Sequence, residues 1–314
     1  MATTTSITTT YAGEAAGQFI SAALLSGSTI ENGGITVKPN VKFKEVIKTL
    51  STDDIVKDAT CDFDATSTIT LAERVLQPEY QQVNLQLCKK DFQSDWEAVS
   101  MGYSANDNMP PAFSDYLIGH VAAKVAQRTE NSIWEGTTAT NGQFDGLSTL
   151  LAADAGHTGG NKIAGAAVTA ANVIDKLGSI VDAIPSTLYG SDDLNIYVSQ
   201  HIARSYIRAL GGFGAAGLGA AGTNAQGTQW WNNGSLSFDG VKIFVANGLA
   251  TNAAIAAEKS NIYFGTGLLS DHNEVKVIDM ADYDGSQNVR VVMRFTAGVQ
   301  YGIVGDIVSY GLGL

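Results

Sequence analysis

The chain has 314 residues, enough for one large domain or two medium ones with a substantial core. Its 31 acidic and 19 basic residues give a net charge of −12, which argues against a dedicated nucleic-acid-binding protein because such a protein needs a basic face. Charged residues make up only 16% of the chain, against about 25% in typical domains, which favours either a surface covered by partners or a β-protein rich in glycine, alanine and threonine.

The first 40 residues are predicted to form an extended amino-terminal arm. Serine and threonine dominate its start, a short helix is predicted over Glu14–Leu25, and Gly33-Gly34 ends the segment. Because few apolar residues here can build a core, the arm is either disordered or ordered by a neighbouring subunit. The start lacks the basic residues of a signal peptide, and the apolar run Phe19–Leu25 is too short to cross a bilayer, so we expect synthesis in the cytoplasm.

Residues 41–92 are predicted to be extended. Three apolar residues alternate with polar ones in the period of a half-buried strand: Val83, Leu85 and Leu87. The segment Thr68–Leu71 alternates in the same way, and Gln77–Glu79 is the strongest turn signal between the two. We therefore predict a long two-stranded hairpin that lies on its own domain or across a neighbouring subunit, because an isolated hairpin is marginal in water.

Basic residues cluster around this predicted hairpin on an otherwise acidic chain. They are Arg74, Lys89 and Lys90, together with Lys57. They either pair with carboxylates of an adjacent subunit or simply solubilise the surface, since exposed ion pairs are worth about 0–1 kcal/mol. The candidate subunit-interface residues are therefore Val83, Leu85, Leu87, Lys89, Lys90 and Arg74.

The strongest helix signal covers residues 113–135. Four apolar residues recur every four positions on one face: Phe113, Leu117, Val121 and Val125. Pro110-Pro111 precedes the helix, Ser114 is the expected N-cap, and Gly136 follows its end. At 1.5 Å per residue the helix is expected to be about 30 Å long.

The segment from about residue 145 to 270 predicts an α/β subdomain with mixed strand pairing. Helices are predicted over Ala170–Ile184, which Pro185 stops, and over Gln200–Leu210. The predicted strands are Leu194–Ser199, Lys242–Ala246 and Asn261–Phe264. A glycine-rich tract, Gly211–Gly222, follows the second helix.

The last third of the chain reads as long strands broken by glycines. Strands are predicted over Glu274–Met280 and Val289–Val304. Between them, Asp282–Gly285 could begin a calcium loop, but it lacks the later oxygen ligands and the final glutamate of such a loop. An Asp-Gly pair between two strands instead predicts a hairpin turn.

No motif in the sequence supports catalysis, a cofactor or a metal. Gly217–Gly222 matches the spacing of dinucleotide-binding glycines, but a helix precedes it where a strand is required, so we predict a loop. The four histidines are scattered, and neither a nucleophile elbow nor a phosphate-binding loop is present. Cys61 and Cys88 are too few for a disulfide framework or zinc site, and we expect two free thiols. The sequence therefore predicts a protein that is not an enzyme.

The order of these segments resembles that of the tailed-phage major capsid proteins, which have the HK-ninety-seven-type α+β fold. Those proteins contain an N-terminal arm, an extended E-loop hairpin, a long spine helix in a peripheral domain, an axial domain, and closing strands. The local sequences similar to such coat proteins are Ile69–Pro78 with Leu87–Phe92, Glu130–Gly136 followed by Phe144–Leu147, and Arg294–Tyr301.

The resemblance implies a division of the chain. It places the arm at 1–40, the E-loop region at 41–92, the peripheral domain at 93–164 with its spine helix at 113–135, the axial domain at 165–270, and strands that return to the peripheral domain at 271–314.

The resemblance also implies a function and partners. Copies would assemble as hexamers and pentamers into the icosahedral shell of a virion, around double-stranded DNA that is held without specific binding. A portal protein and separate scaffolding or decoration proteins would be further partners, with no cofactor and no membrane. Three alternatives stay open: an encapsulin-like nanocompartment shell protein, a glycine-rich α/β enzyme that binds a nucleotide, and a phage tail or fibre protein.

Overall fold

The computed structural model describes residues 28–52, 55–59, 61, 65, 68–88, 111–210, 236–267 and 276–312. Within these ranges the helices are α1 (Ser28–Glu31), α2 (Pro111–Glu135), α3 (Leu147–Ala153), α4 (Val173–Asp182), α5 (Gln200–Leu210) and α6 (Ala281–Asp284). The strands are β1 (Thr36–Lys38), β2 (Glu45–Thr52), β3 (Ile69–Leu76), β4 (Glu79–Cys88), β5 (Lys162–Ile163), β6 (Leu194–Val198), β7 (Ser237–Phe238), β8 (Val241–Val245), β9 (Ala254–Glu258), β10 (Ile262–Thr266), β11 (Lys276–Asp279), β12 (Asn288–Tyr301) and β13 (Val308–Tyr310).

The long strand β12 organises a five-stranded sheet. The strand order is β1-β10-β12-β11, and β4 also pairs with β12. Every pair is antiparallel except β1 with β10. Along β12, buried residues such as Val289, Val291 and Met293 alternate with the exposed Arg290 and Arg294, which is the period of a strand with one face toward a core.

Helix α2 covers the buried face of this sheet. Leu117 and Val121 pack against Val291, together with half-buried residues of β4 and β11. The predicted apolar face is therefore confirmed for the described residues, and the 25-residue helix is about 37 Å long. The helix begins at Pro111 rather than after Ser114, because proline is well tolerated in the first turn of a helix.

The second sheet has six strands and both of its faces are covered. Its order is β5-β13-β9-β6-β8-β7, with β5–β13 and β6–β8 parallel and the other pairs antiparallel. All five residues of β6 are buried. Ile196 points to a core formed with α4 and α5, while Tyr197 belongs to the opposite core and its ring centroid lies 5.1 Å from that of Trp134. The predicted helices that flank β6 are confirmed, and α5 has the predicted bounds.

The described part of the predicted arm packs against the body of its own chain. Thr29 and Ile35 are almost fully buried, and β1 pairs with β10. The buried carboxylate of Glu130 accepts hydrogen bonds from the Thr29 N–H, at 3.1 Å, and from the Thr29 hydroxyl. The Trp134 indole donates to the Thr29 hydroxyl oxygen at 3.0 Å. The helix predicted over Glu14–Leu25 lies outside the described residues.

The predicted partner strands of the hairpin are wrong. β3 pairs with β2 along all eight residues, from Glu45 opposite Leu76 to Thr52 opposite Ile69. β4 pairs with β12 along ten residues. Gln77 and Pro78 therefore redirect the chain from a two-stranded sheet into the five-stranded sheet. A turn signal indicates where the chain bends, but it does not indicate which strands hydrogen-bond to each other.

Two strands lie in sheets other than those predicted. β10, expected in the α/β subdomain, belongs to the five-stranded sheet, and β13, expected to return to the peripheral domain, belongs to the six-stranded sheet. The two sheets therefore exchange strands along the sequence. The hairpin around Asp282–Gly285 is confirmed: α6 forms one helical turn, Gly285 has φ +68°, and β11 then pairs with β12.

We predict that Leu177→Ala in α4 lowers the free energy of unfolding by about 2–5 kcal/mol, because it leaves a cavity between this helix and the six-stranded sheet. The matched control is Ile174→Ala on the same helix, where the side chain is half exposed and a change within about 0.5 kcal/mol is expected. Urea unfolding of the purified protein measures both. Equal losses for the two variants would contradict the assignment of the buried face of α4.

Candidate functional site

An exposed apolar face lies on the two-stranded sheet formed by β2 and β3. Val46 lies opposite Val75, and Leu50 lies opposite Leu71. Because directly opposed residues of an antiparallel pair point to the same side, these four share one face with Ile69. Their exposed fractions range from 39% at Val75 to 72% at Leu71.

This face has the composition of an interaction surface. Lys48 and Glu73 lie directly opposite each other between the two apolar pairs. Such an opposite-charge pair supports the strand register without covering the apolar side chains. A two-stranded hairpin is marginal in water, and contiguous exposed apolar surface commonly marks a contact with another molecule. Among the residues that the structure describes, no layer covers this face.

Within the described ranges, the opposite face of the hairpin is packed only at its base. Ile47 and Leu76 are buried there. A Cβ at Gly265 would lie 2.8 Å from Cδ2 of Leu76, and one at Gly298 would lie 2.9 Å from the carbonyl oxygen of Gln77. Both distances are shorter than van der Waals contact, so the two glycines allow the end of the hairpin to approach the five-stranded sheet.

Polar contacts fix the same base. The Arg74 guanidinium donates through Nε to the Gly302 carbonyl at 2.9 Å and through Nη2 to Asp154 Oδ2 at 2.5 Å. It also lies over the Tyr301 ring, 4.3 Å from the centroid. The Tyr301 hydroxyl donates to the same Asp154 oxygen at 2.7 Å. The end of β12 and the C-cap of α3 therefore hold the hairpin through one arginine.

The environment of Asp154 favours its charged form. Burial acts to raise the pKa of this carboxyl, but hydrogen bonds from the Tyr301 hydroxyl and the Gly156 N–H, together with Arg74, outweigh burial and lower the pKa below its ordinary value. The carboxylate at the hairpin base is accordingly ionised at neutral pH.

The predicted interface residues lie in three different settings. Val83 and Leu87 are half-buried and pack against the core that α2 forms, whereas Leu85 is more exposed. Arg74 makes the contacts within its own chain described above. Lys89 and Lys90 lie outside the described residues. Since β4 belongs to the five-stranded sheet, Val83, Leu85 and Leu87 are not hairpin residues, and their predicted role between subunits remains a prediction.

Sequence reasoning missed the hairpin face itself. The available signal was the even spacing of apolar residues along each strand, Val46 and Leu50 in β2 and Ile69 and Leu71 in β3, which places each pair on one face. Asp154, Tyr301 and Gly302 gave no such local signal, because only the folded chain brings them to Arg74.

Other candidate features do not form a site in the part of the chain that the structure describes. No group of three metal-ligating side chains occurs there. Cys61 is exposed and Cys88 half-buried, and both are free thiols. The tract Gly217–Gly222 lies outside the described residues. Of the helices that are described, none has the length and hydropathy needed to span a membrane.

Several solved structures share the fold along nearly the whole chain. The capsid of a native GTA particle is 13% identical, with a TM-score of 0.61, and the match covers 93% of this chain and 92% of that one. The capsid of the cyanophage P-SCSP1u is 15% identical, with a TM-score of 0.56 and coverage of 96% and 91%. The capsid of the Myoviridae phage XM1 is 12% identical, with a TM-score of 0.57 and coverage of 94% of each chain.

These identities are low, so the likeness establishes the fold. The chain has the α+β HK-ninety-seven-type fold that the order of its segments predicted. No protein-family model matches the sequence, and no curated protein matches it.

We predict that Asp154→Asn destabilises the subunit at neutral pH and that this difference from the wild type disappears in acid. A carboxyl whose pKa is lowered by folding contributes stability above its unfolded pKa, about 3.9, and this contribution is lost as the pH falls through the lower folded pKa. Urea unfolding of both proteins between pH 7 and acid measures the difference. A difference that stays constant across this range would contradict the assigned role of the Asp154 charge.

Proposed function

We propose that this chain is the major capsid protein of a tailed double-stranded DNA bacteriophage and that its copies assemble into the icosahedral shell of the virion. The observation that carries the proposal is the exposed apolar face of the β2–β3 hairpin on a fold shared, along more than nine-tenths of the chain, with solved phage capsids. A hairpin of this kind needs a second surface, and identical copies supply one.

Repetition makes weak contacts sufficient for a shell. In a closed shell each subunit both covers a neighbour's hairpin and has its own hairpin covered, so each contact is multiplied around hexamers and pentamers. We assign the peripheral domain to the five-stranded sheet with α2, and the axial domain to the six-stranded sheet with α4 and α5. The E-loop is then β2, β3 and the residues between them, and the arm is the chain that precedes α1.

The charge of the chain suits a container for DNA. A chain with a net charge of −12 has little basic surface with which to displace counterions from phosphates, so packaged DNA would be held without specific binding. The proposal needs neither a catalytic residue nor a cofactor. A portal protein and separate scaffolding or decoration proteins are the further partners that such a shell uses.

Negative-stain electron microscopy of the purified protein tests the proposal directly. Closed shells of uniform size are expected, either spontaneously or with a scaffolding protein supplied. Protein that stays a compact monomer under both conditions would overturn the proposal, and tubes or trimers would instead favour a tail or fibre protein.

We predict that Leu50→Ser together with Leu71→Ser reduces the yield of shells by at least about ten-fold while leaving the subunit folded. Each leucine would lose a burial of about 1.5–3 kcal/mol in the assembled contact, and 1.4 kcal/mol corresponds to ten-fold in an equilibrium constant. Sedimentation measures the yield and circular dichroism measures the fold. The control is Ile174→Ser, an exposed apolar residue of α4 away from the hairpin, which should assemble normally. Full shell yield from the double variant would contradict the role of this face.

A further inference from the structure

The face of the five-stranded sheet that points away from helix α2 is polar and exposed. Arg290 and Arg294 alternate with the buried residues of β12, and both are exposed. In the neighbouring strand β4, Gln86 lies opposite Arg290 and Gln82 lies opposite Arg294, with Asn84 between them. These three β4 residues are exposed as well. Directly opposed residues of an antiparallel pair share one side of a sheet, so the five side chains lie together.

Lys276 of β11 adds a third cation to this side of the sheet. It is exposed and lies opposite Val292, the residue midway between the two arginines. None of the described residues that β4, β11 and β12 direct to this side is an aspartate or a glutamate. The polar sheet face therefore consists of Gln82, Asn84, Gln86, Lys276, Arg290 and Arg294. Its three cations contrast with the net charge of −12 on the whole chain.

The two arginines can accept an external anion as their partner. Within the described ranges neither of them is in an ion pair. Arg290 donates through Nε to Gln86 Oε1 at 3.2 Å, which orients the guanidinium and uses one of its five N–H donors. The nearest carboxylate along the chain, Asp284, belongs to the turn between β11 and β12 rather than to a strand. The described strands thus present only positive charge on this side.

The spacing of the arginines suits the phosphates of a duplex. Residues four apart on one strand are separated by about 13 Å. A DNA strand carries one phosphate per about 3.4 Å of helix axis, so the two arginines span about four phosphates. Arginine, lysine, asparagine and glutamine are all common donors to phosphate oxygens, and a guanidinium can bind phosphate through two N–H groups. The polar sheet face can therefore contact a phosphate backbone without reading its bases.

The composition of this face favours DNA over a second copy of the chain. The cores of protein–protein interfaces are depleted of charged residues and enriched in aromatic ones. Protein–DNA interfaces are more polar and more positive, as is the centre of the polar sheet face, where Asn84 lies between two pairs of arginine and glutamine. An acidic neighbouring copy is the competing occupant.

We propose that the polar sheet face lines the interior of the shell and binds the phosphate backbone of the packaged double-stranded DNA, with Arg290 and Arg294 as the principal contacts. This inference rests on the proposed function, and it names the surface through which an acidic chain contacts its DNA. The binding is independent of base sequence. Two or three contacts per copy are weak individually but are repeated over the whole shell.

Fluorescence anisotropy of a short labelled DNA duplex tests the contact, with the protein held below the concentration at which shells form. The logarithm of the binding constant should fall with the logarithm of the NaCl concentration with a slope of about −3 for three phosphate contacts. Arg290→Ala combined with Arg294→Ala should reduce this slope by about 2 and weaken binding in about 50 mM NaCl by about ten-fold or more. A slope and an affinity equal to those of the wild type would overturn the proposal.

The matched control is Arg204→Ala combined with Arg208→Ala. These two arginines are also exposed and four residues apart, but they lie on α5, which packs on the six-stranded sheet. The change in net charge is the same, so DNA binding should stay close to that of the wild type. An equal loss in both double variants would indicate an effect of total charge and would overturn the polar sheet face as the site.

Asn84→Glu probes the same face without removing an arginine. Asn84 is exposed at the centre of the face, so a carboxylate there should repel phosphate and lower the affinity for the duplex by about three-fold or more. Circular dichroism measures whether each variant keeps its fold. A folded Asn84→Glu protein that binds DNA as tightly as the wild type would contradict the proposal.

Shell formation separates the two possible occupants. The double variant of Arg290 and Arg294 should form shells in wild-type yield, because these residues contact DNA and not a neighbour. Loss of shells would assign the face to an interface between copies and overturn the proposal. Duplex DNA added to closed shells should stay unbound, and its binding there would overturn the interior position of the face. Wild-type protein that forms no shells would defeat the proposed function, whereas the anisotropy measurement decides separately whether the face binds DNA.

Discussion

A two-stranded ribbon has two faces, and in the described part of this chain only the base of one face is covered. Leu76 and Ile47 are buried at that base, where Gly265 and Gly298 admit the chain against the five-stranded sheet. Beyond the base, β2 and β3 hydrogen-bond to each other, but the apolar side chains of the other face are not removed from water. Burying apolar surface is worth about 25 cal/mol per Å², so covering this face with another molecule would stabilise the complex. The proposed shell depends on that imbalance.

The strand that organises the body also sets the position of the hairpin. The first part of β12 is flanked by β4 and β11, and its last residues pair with β10. Directly after it, the Gly302 carbonyl accepts from Arg74. The hairpin therefore leaves the body at a point defined by a sheet, an arginine and a buried leucine, rather than at a flexible linker. A projecting element that is fixed in this way loses little conformational entropy when it docks, which favours assembly.

Local patterns in the sequence predicted the helices and several strands, because amphipathic periodicity is a local property. α2 and α4 followed from apolar residues repeated every three or four positions, α5 was predicted with its observed bounds, and the β11–β12 hairpin followed from its Asp-Gly turn. The partners of strands depend on contacts between distant segments, so β4 was assigned to the hairpin although it pairs with β12.

β9 was not predicted because three of its five residues are alanine, which is uncommon in strands. Its small side chains suit a strand that has helices or aromatic rings packed on both faces. Of the candidate site, the sequence predicted a hairpin in this region, lying on its own domain or across a neighbour, but not the strands that form it or the charge cluster that anchors it.

Two carboxyls of the same chain respond to acid in opposite ways. Burial raises the pKa of Glu130, and hydrogen bonds from Thr29 offset this only in part, so the folded chain binds a proton there more readily than an exposed glutamate does. Asp154 has the reverse behaviour, since its hydrogen bonds and Arg74 outweigh burial. As the pH falls, the cost of burying a charge at Glu130 is relieved, whereas the favourable charge of Asp154 is lost. Acid therefore removes a stabilising charge at the base of the hairpin, whereas at Glu130 it relieves the cost of a buried charge and at the same time weakens the hydrogen bonds from Thr29. The opposite directions of the two pKa shifts follow from burial and hydrogen-bond partners that the residue types alone do not reveal.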